Sequence, residues 1–133
     1  MSQIPIGARG TFELVVGAEH LASQFKDTTL PAVLATPMMI LAMENAALNA
    51  IKPYLAVGQS AVGTRVDVRH LAATPKGQTV IAEAEVTGFD GRRVEFTVRA
   101  RDNVEEIGAG THQRALVDLD RIKQRMIIKS GAA

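Results

Sequence analysis

An apolar segment between two prolines constrains the fold of this chain more than any other feature. Thr36-Pro37 opens the segment, the run MMILAMENAALNAI follows, and Lys52-Pro53 closes it. Threonine is favoured at helix N-caps, proline is favoured in the first turn, and a later proline cannot continue a helix. The segment is therefore predicted to be one helix, with Thr36 as its N-cap.

Few polar residues interrupt this predicted helix: Glu44, Asn45, Asn49 and Lys52. A helix that is apolar on nearly every side is typical of a buried position. A single sheet cannot cover every side of a helix, so we expect a second copy of the chain to supply part of the cover. The sequence therefore predicts at least a homodimer.

Alternation of apolar and polar residues predicts strands on both sides of the helix. One strand covers residues 9–17, and four more follow Gly58, with turns at Pro75-Lys76-Gly77, Asp90-Gly91 and Asp102-Asn103. A terminal helix is predicted over 118–129, behind Asp118 as its cap. This order predicts an α+β protein of the hotdog type, with an antiparallel sheet curled around the buried helix, as one domain over residues 1–133.

Composition excludes several classes of function. The chain has no cysteine, a net charge of +1 and 4% aromatic residues, which excludes thiolate chemistry and argues against nucleic-acid binding. It has no histidine or acidic spacing typical of a metal site, no phosphate loop and no nucleophile elbow. It also has no apolar run of the length that signal peptides or membrane spans need. We therefore expect a soluble cytoplasmic protein without metal, nucleic-acid partner or membrane contact.

Glu44 is the most anomalous residue of the predicted helix. It lies between Ala42-Met43 and Asn45-Ala46, where the pattern predicts burial, and an unpaired buried carboxylate costs several kcal/mol. Either it is a structural carboxylate that hydrogen bonds satisfy, or it is a general base or nucleophile in a dry site. The sequence pattern leaves both interpretations open.

Two further candidates lie on the strand that follows Gly58. His70 is predicted to end the apolar face formed by Val62, Thr64, Val66 and Val68, either as a core histidine or as a proton carrier. Gly63 interrupts this strand, which often marks a bulge or the close approach of a ligand to the backbone.

His112 and Arg114 share one face of the last predicted strand. They indicate either a solvated strand edge or, through Arg114, a contact with a phosphate or carboxylate. Thr36 and Glu44 lie eight residues apart on the helix, and this spacing separates them by about 12 Å along its axis. A site that uses both must span two turns or take one residue from each subunit of a dimer.

Three stretches of the chain resemble the fluoroacetyl-CoA thioesterase-like branch of the hotdog thioesterases. They are Thr36 with the run to KPYL, then AVGTRVDVRHLAATPKG, then EEIGAGTHQRALVDL. The resemblance implies that Thr36, Glu44 and His70 are the catalytic residues. It also implies that the Gly63 amide lies near the thioester carbonyl, and it matches Arg114 to an arginine of the family.

The implied reaction is hydrolysis of an acyl-CoA to an acid and CoA, with coenzyme A as part of the substrate and no separate cofactor. Leu30 and Asn45 stand where the fluoroacetyl-specific member has aromatic residues around its acyl pocket. We therefore expect a short- or medium-chain acyl-CoA thioesterase without fluorine-selective gating. The alternatives are a non-catalytic acyl-CoA or small-ligand binder and a hotdog hydratase or dehydratase.

Overall fold

The structure is a computed structural model that describes residues 3–25 and 27–131. Residues 1, 2, 26, 132 and 133 of the predicted domain lie outside this part of the chain. The described elements are β1 Arg9–Val15, a 3-10 turn Ala18–His20, α1 Ala22–Phe25, α2 Thr36–Ile51, a 3-10 turn Lys52–Tyr54, β2 Gln59–His70, β3 Thr79–Phe89, β4 Arg93–Arg101, β5 Glu106–Asp118 and α3 Leu119–Lys129.

The strands form one antiparallel sheet in the order β1-β3-β4-β5-β2. Its concave face packs against α2, which contacts β1 and β3 most extensively. The α+β architecture, an antiparallel sheet curled around a long helix, is confirmed. Asp118 also caps α3 as predicted, because its side chain accepts a hydrogen bond from the backbone N–H of Arg121.

The burial of α2 is one-sided in the single chain, as expected if one sheet cannot cover every side of the helix. The sheet buries a stripe with helical spacing, namely Met39, Ala42, Met43, Ala46, Ala47, Ala50 and Ile51. Leu41, on the opposite side of α2, is 39% exposed. A five-stranded sheet curls around only part of a helix, and the remaining side of α2 faces outward.

A bulge in β2 changes which side chains face α2. Gly63 pairs with Arg114 and Arg65 pairs with Gln113, so Thr64 is an extra residue on the strand. Because side chains alternate along a strand, one extra residue exchanges the two faces. The predicted face of Val62, Thr64 and Val66 is therefore wrong at its first two positions, and Val62 is 42% exposed.

A buried polar contact ties the loop after β2 to the turn between β4 and β5. The Thr74 hydroxyl donates to Asp102, whose carboxylate also accepts hydrogen bonds from the backbone N–H groups of Val104 and Glu105. The Thr74 carbonyl in turn accepts from the N–H of Leu34, just before α2. This chain of contacts fixes the start of α2 relative to the end of β2.

The close approach of β1 to α2 depends on Gly10. A Cβ atom at this position would collide with the backbone carbonyl of Ala46 and the backbone nitrogen of Ala50. Backbone atoms of a buried helix cannot move aside without displacing the helix. Gly10 therefore sets the distance between the first strand and the core helix.

We predict that Gly10→Ala destabilises the protein by about 3 kcal/mol, because overpacking against rigid backbone is expensive. The matched control is Gly88→Ala, whose added Cβ would make only ordinary contacts 3.5 Å or more from the Glu95 side chain. This control is expected to stay within about 0.5–1 kcal/mol of the wild type. Urea unfolding of the three proteins measures both differences, and equal midpoints would contradict the prediction.

Candidate active site

Thr36 and His70 meet where the start of α2 lies beside the end of β2. The Thr36 hydroxyl is 2.7 Å from Nδ1 of His70. The prediction of Thr36 as the N-cap is wrong, because Ala35 is the N-cap and no side chain caps this end of α2. Since the hydroxyl is not used to cap the helix, it is available to hold the imidazole ring.

The environment of His70 favours the neutral imidazole. Burial lowers the pKa of His70, and a hydrogen bond with the backbone of Ala72 opposes this shift only in part. Nε2 of the ring is buried and has no hydrogen-bond partner among the described residues. A neutral imidazole whose one nitrogen is held by a hydroxyl is suited to proton transfer.

Glu44 lies two turns further along α2, on its outward side. Its side chain is 39% exposed, and Oε2 lies 3.7 Å from NH1 of Arg114. The predicted burial of Glu44 is therefore wrong for the single chain, because the sheet does not cover this side of α2. The carboxylate is paired with a cation and also reaches the surface.

Gly63 gives Glu44 the space that it occupies. A Cβ atom on Gly63 would lie 2.7 Å from Oε2 of Glu44. The sequence predicted a bulge or a close approach at this glycine, and the bulge directly follows it. Any side chain at position 63 would push the Glu44 carboxylate away from its present position.

Arg114 is buried beneath Glu44, together with its neighbour His112. NH2 of Arg114 donates to the carbonyl of Ala61 at 2.8 Å, and NH1 lies 3.3 Å from Nε2 of His112. The interpretation of these two residues as a solvated strand edge is wrong, because β2 pairs with β5 and α2 lies above them. Sequence reasoning did not select His112 as a site residue, although its spacing from Arg114 placed both on one face.

Leu30 and Asn45 were the two predicted acyl-pocket residues. Leu30 is 40% exposed and lies in the segment before α2. Asn45 uses its side-chain N–H₂ group to donate to the carbonyl of Leu41, one turn earlier. Their roles toward a substrate stay predictions.

The site residues form two clusters within one chain. Thr36 and His70 make the first cluster, and Glu44, Gly63 and Arg114 make the second. The eight-residue spacing on α2 separates the two clusters by about 12 Å along the helix axis. One chain therefore does not bring the Thr36 hydroxyl to the Glu44 carboxylate.

Two further findings concern metals and membranes. Within residues 3–25 and 27–131, no three histidine or acidic side chains are grouped so that they could hold a metal ion. Over the same residues, no helix has both the length and the apolar character to span a bilayer.

Comparison with known proteins identifies the family. The profile of the family described as fluoroacetyl-CoA-specific thioesterase matches residues 16–120, and this range contains both clusters. The chain belongs to this family. It is similar to a fluoroacetyl-CoA thioesterase from Streptantibioticus cattleyicolor, with 39% identity over 96% of this chain and 95% of the relative.

Solved structures agree with this assignment. The structure of the fluoroacetyl-CoA thioesterase FlK superimposes with a TM-score of 0.89 and 36% identity, covering 96% of this chain and 98% of that one. A thioesterase superfamily member from Thermus thermophilus superimposes with a TM-score of 0.88 and 29% identity over the full length of both chains. The resemblance and the hotdog fold predicted from the sequence are thus confirmed.

Proposed function

We propose that the protein hydrolyses short- or medium-chain acyl-CoA thioesters to a free acid and coenzyme A. Its family is a family of thioesterases, and this membership supports thioester hydrolysis as the reaction. The observation that carries the catalytic assignment is the Thr36 hydroxyl at 2.7 Å from His70 Nδ1. A threonine at a helix start has no structural need for a histidine partner, whereas a proton-transfer pair requires this contact.

Thioester hydrolysis needs an attacking group, a proton carrier and donors for the developing oxyanion. In our proposal the neutral His70 imidazole accepts a proton released by the attacking water and returns it to the departing CoA sulfur, and Thr36 holds the ring in place. Glu44 either attacks the carbonyl carbon, giving an anhydride that water then hydrolyses, or takes a proton from the attacking water. The backbone N–H of Gly63 is the proposed donor to the oxyanion.

The acyl preference follows from two predicted pocket residues. Leu30 and Asn45 are smaller than the aromatic side chains expected at these positions in the fluoroacetyl-specific member. We infer that the acyl pocket of this chain does not select for fluorine and accepts short or medium acyl groups. Coenzyme A enters as part of the substrate, and a cytoplasmic location stays a prediction.

We further propose that the working unit is a homodimer. Strand β2 is an edge strand of 12 residues. Long open edges invite pairing with another chain. Val66 on β2 is exposed, as is Leu41 on the outward side of α2. A second copy placed on this side would cover the apolar residues and bring the second cluster of one chain toward the first cluster of its partner.

The first prediction on activity uses a panel of acyl-CoAs with a free-thiol readout. Removing a general acid or base costs about 100- to 10,000-fold in rate. We therefore expect a loss of this size in kcat for His70→Ala, and a comparable loss for Glu44→Ala. His20→Gln serves as the histidine control, because His20 lies in the first 3-10 turn and contacts Gly17 and Glu19.

Each alternative function has its own signature in the same assay. Thiol release that neither substitution affects would overturn the catalytic assignment. Binding of acyl-CoA without turnover would favour the non-catalytic binder. A hydrated enoyl product with no released thiol would favour the hydratase or dehydratase.

The second prediction concerns assembly. We expect the protein to sediment as a dimer at micromolar concentration, because the open side of α2 and the β2 edge remain apolar in one chain. Val66→Lys on this edge is expected to shift the equilibrium toward the monomer, because it places a charge in the contact. Val104→Lys, at an exposed position before β5, is the matched control. A wild type that sediments as a monomer would contradict the proposal.

A further inference from the structure

His112 takes no part in the chemistry proposed above, yet it lies directly behind the residues that do. Only 2% of its surface is exposed, and its ring stacks on Phe96 with the centroids 5.7 Å apart. Its Cε1 atom would lie 3.4 Å from a Cβ atom on Gly63, so the ring lines the space next to Glu44. A buried titratable ring in this position requires a physical explanation.

The hydrogen bonds of His112 fix its tautomer. Nδ1 lies 2.7 Å from the backbone carbonyl of Arg65, and a carbonyl oxygen can only accept. Nδ1 must therefore carry a proton. On a neutral ring this leaves Nε2 as an acceptor, and NH1 of Arg114 is 3.3 Å away as its donor.

The position of the Arg114 guanidinium depends on this acceptor. NH2 is held by the Ala61 carbonyl, and NH1 lies between Nε2 of His112 and Oε2 of Glu44. Two contacts on the protein side fix a planar guanidinium, whereas one contact leaves it free to turn. With both contacts in place, NH1 is presented to the Glu44 carboxylate in one orientation.

We propose that His112 is a positioning residue for Glu44: as the neutral Nδ1–H tautomer, it anchors Arg114, and Arg114 holds the carboxylate in place for its part in thioester hydrolysis. This inference rests on the proposed function, because it assigns a means of aiming the carboxylate in that reaction. The electrostatic reason is direct. A protonated ring would present a second donor and a like charge to Arg114, and the anchor would be lost.

The surroundings of His112 favour the neutral form. Burial lowers its pKa most, and the positive charge of Arg114 on β5 lowers it further. The Arg65 carbonyl on β2, Glu44 on α2 and Glu95 on β4 raise the pKa of His112, but the net direction is downward. The groups that face the ring therefore keep Nε2 available as an acceptor.

Two substitutions test the roles of the two ring nitrogens of His112 separately. In His112→Gln the amide oxygen can occupy the place of Nε2 and accept from Arg114. In His112→Asn the shorter amide can replace only Nδ1 as the donor to the Arg65 carbonyl, and the acceptor toward Arg114 is lost. Thr111→Ser is the matched control, because Thr111 is the exposed neighbour on the opposite face of β5.

We expect His112→Asn to lower kcat by about 10- to 100-fold with little change in KM, since a misplacement of about 1 Å in a catalytic group can cost this much. His112→Gln is expected to recover most of this loss, and Thr111→Ser is expected to match the wild type. Thermal melts check that the variants are folded. A folded His112→Asn enzyme with the wild-type kcat would overturn the proposal.

A spectroscopic measurement tests the tautomer without any activity. Long-range ¹H–¹⁵N correlation spectra of the histidine-labelled wild type, assigned with His112→Gln, are expected to show protonated Nδ1 and unprotonated Nε2 at neutral pH. A protonated Nε2 would overturn the proposal even if the variants fail to fold. If the wild type releases no thiol from any acyl-CoA, the proposed function fails, while the spectra still decide the arrangement of His112 and Arg114.

Discussion

The one-sided burial of α2 is the constraint on which the rest of the structure depends. The sheet covers a stripe of mostly small side chains, which lets β1 approach so closely that Gly10 has no room for a Cβ atom. The other side of the helix carries Leu41 and Glu44 and remains open along the edge of β2. The carboxylate proposed to act on the thioester therefore lies beside an exposed apolar residue, and one chain leaves both uncovered.

The bulge in β2 is the second organising feature. It directly follows Gly63, which leaves room for Glu44, and it lies next to Arg65, whose carbonyl accepts from the buried His112. His112 contacts Arg114, and Arg114 lies beside the Glu44 carboxylate, so the bulge is linked to this carboxylate by a second route. A regular strand would bring a different face of these residues toward α2, so the bulge is part of the site.

The sequence predicted the elements well, because each had a local signal. The prolines marked α2, turn residues separated the strands, and Asp118 marked the start of α3. Glu44 and His70 stood out as polar side chains in apolar surroundings, whereas the catalytic roles proposed for them and for Thr36 came from the resemblance to the family. The pairing of Thr36 with His70, by contrast, depends on how α2 crosses β2, which no local pattern encodes.

The errors have a common physical origin. The bulge at Thr64, the cap at Ala35 and the burial of His112 are each decided by contacts between distant segments. Periodicity describes one element at a time. It therefore assigned Val62 to the wrong face of β2, and it could not exclude that Arg114 lies on a solvated strand edge. Glu44 was expected to be buried because the composition of α2 does not reveal which side the sheet leaves open.

The central claim is that each active site combines the first cluster of one chain, Thr36 and His70, with the second cluster of its partner chain, which contains Glu44. The direct test combines His70→Ala and Glu44→Ala chains, each inactive alone, into a heterodimer isolated through two different tags. If each site takes one cluster from each subunit, one of the two sites is intact, and we predict about half of the wild-type kcat per dimer. A heterodimer no more active than the single variants would contradict the claim, because each site would then belong to one chain.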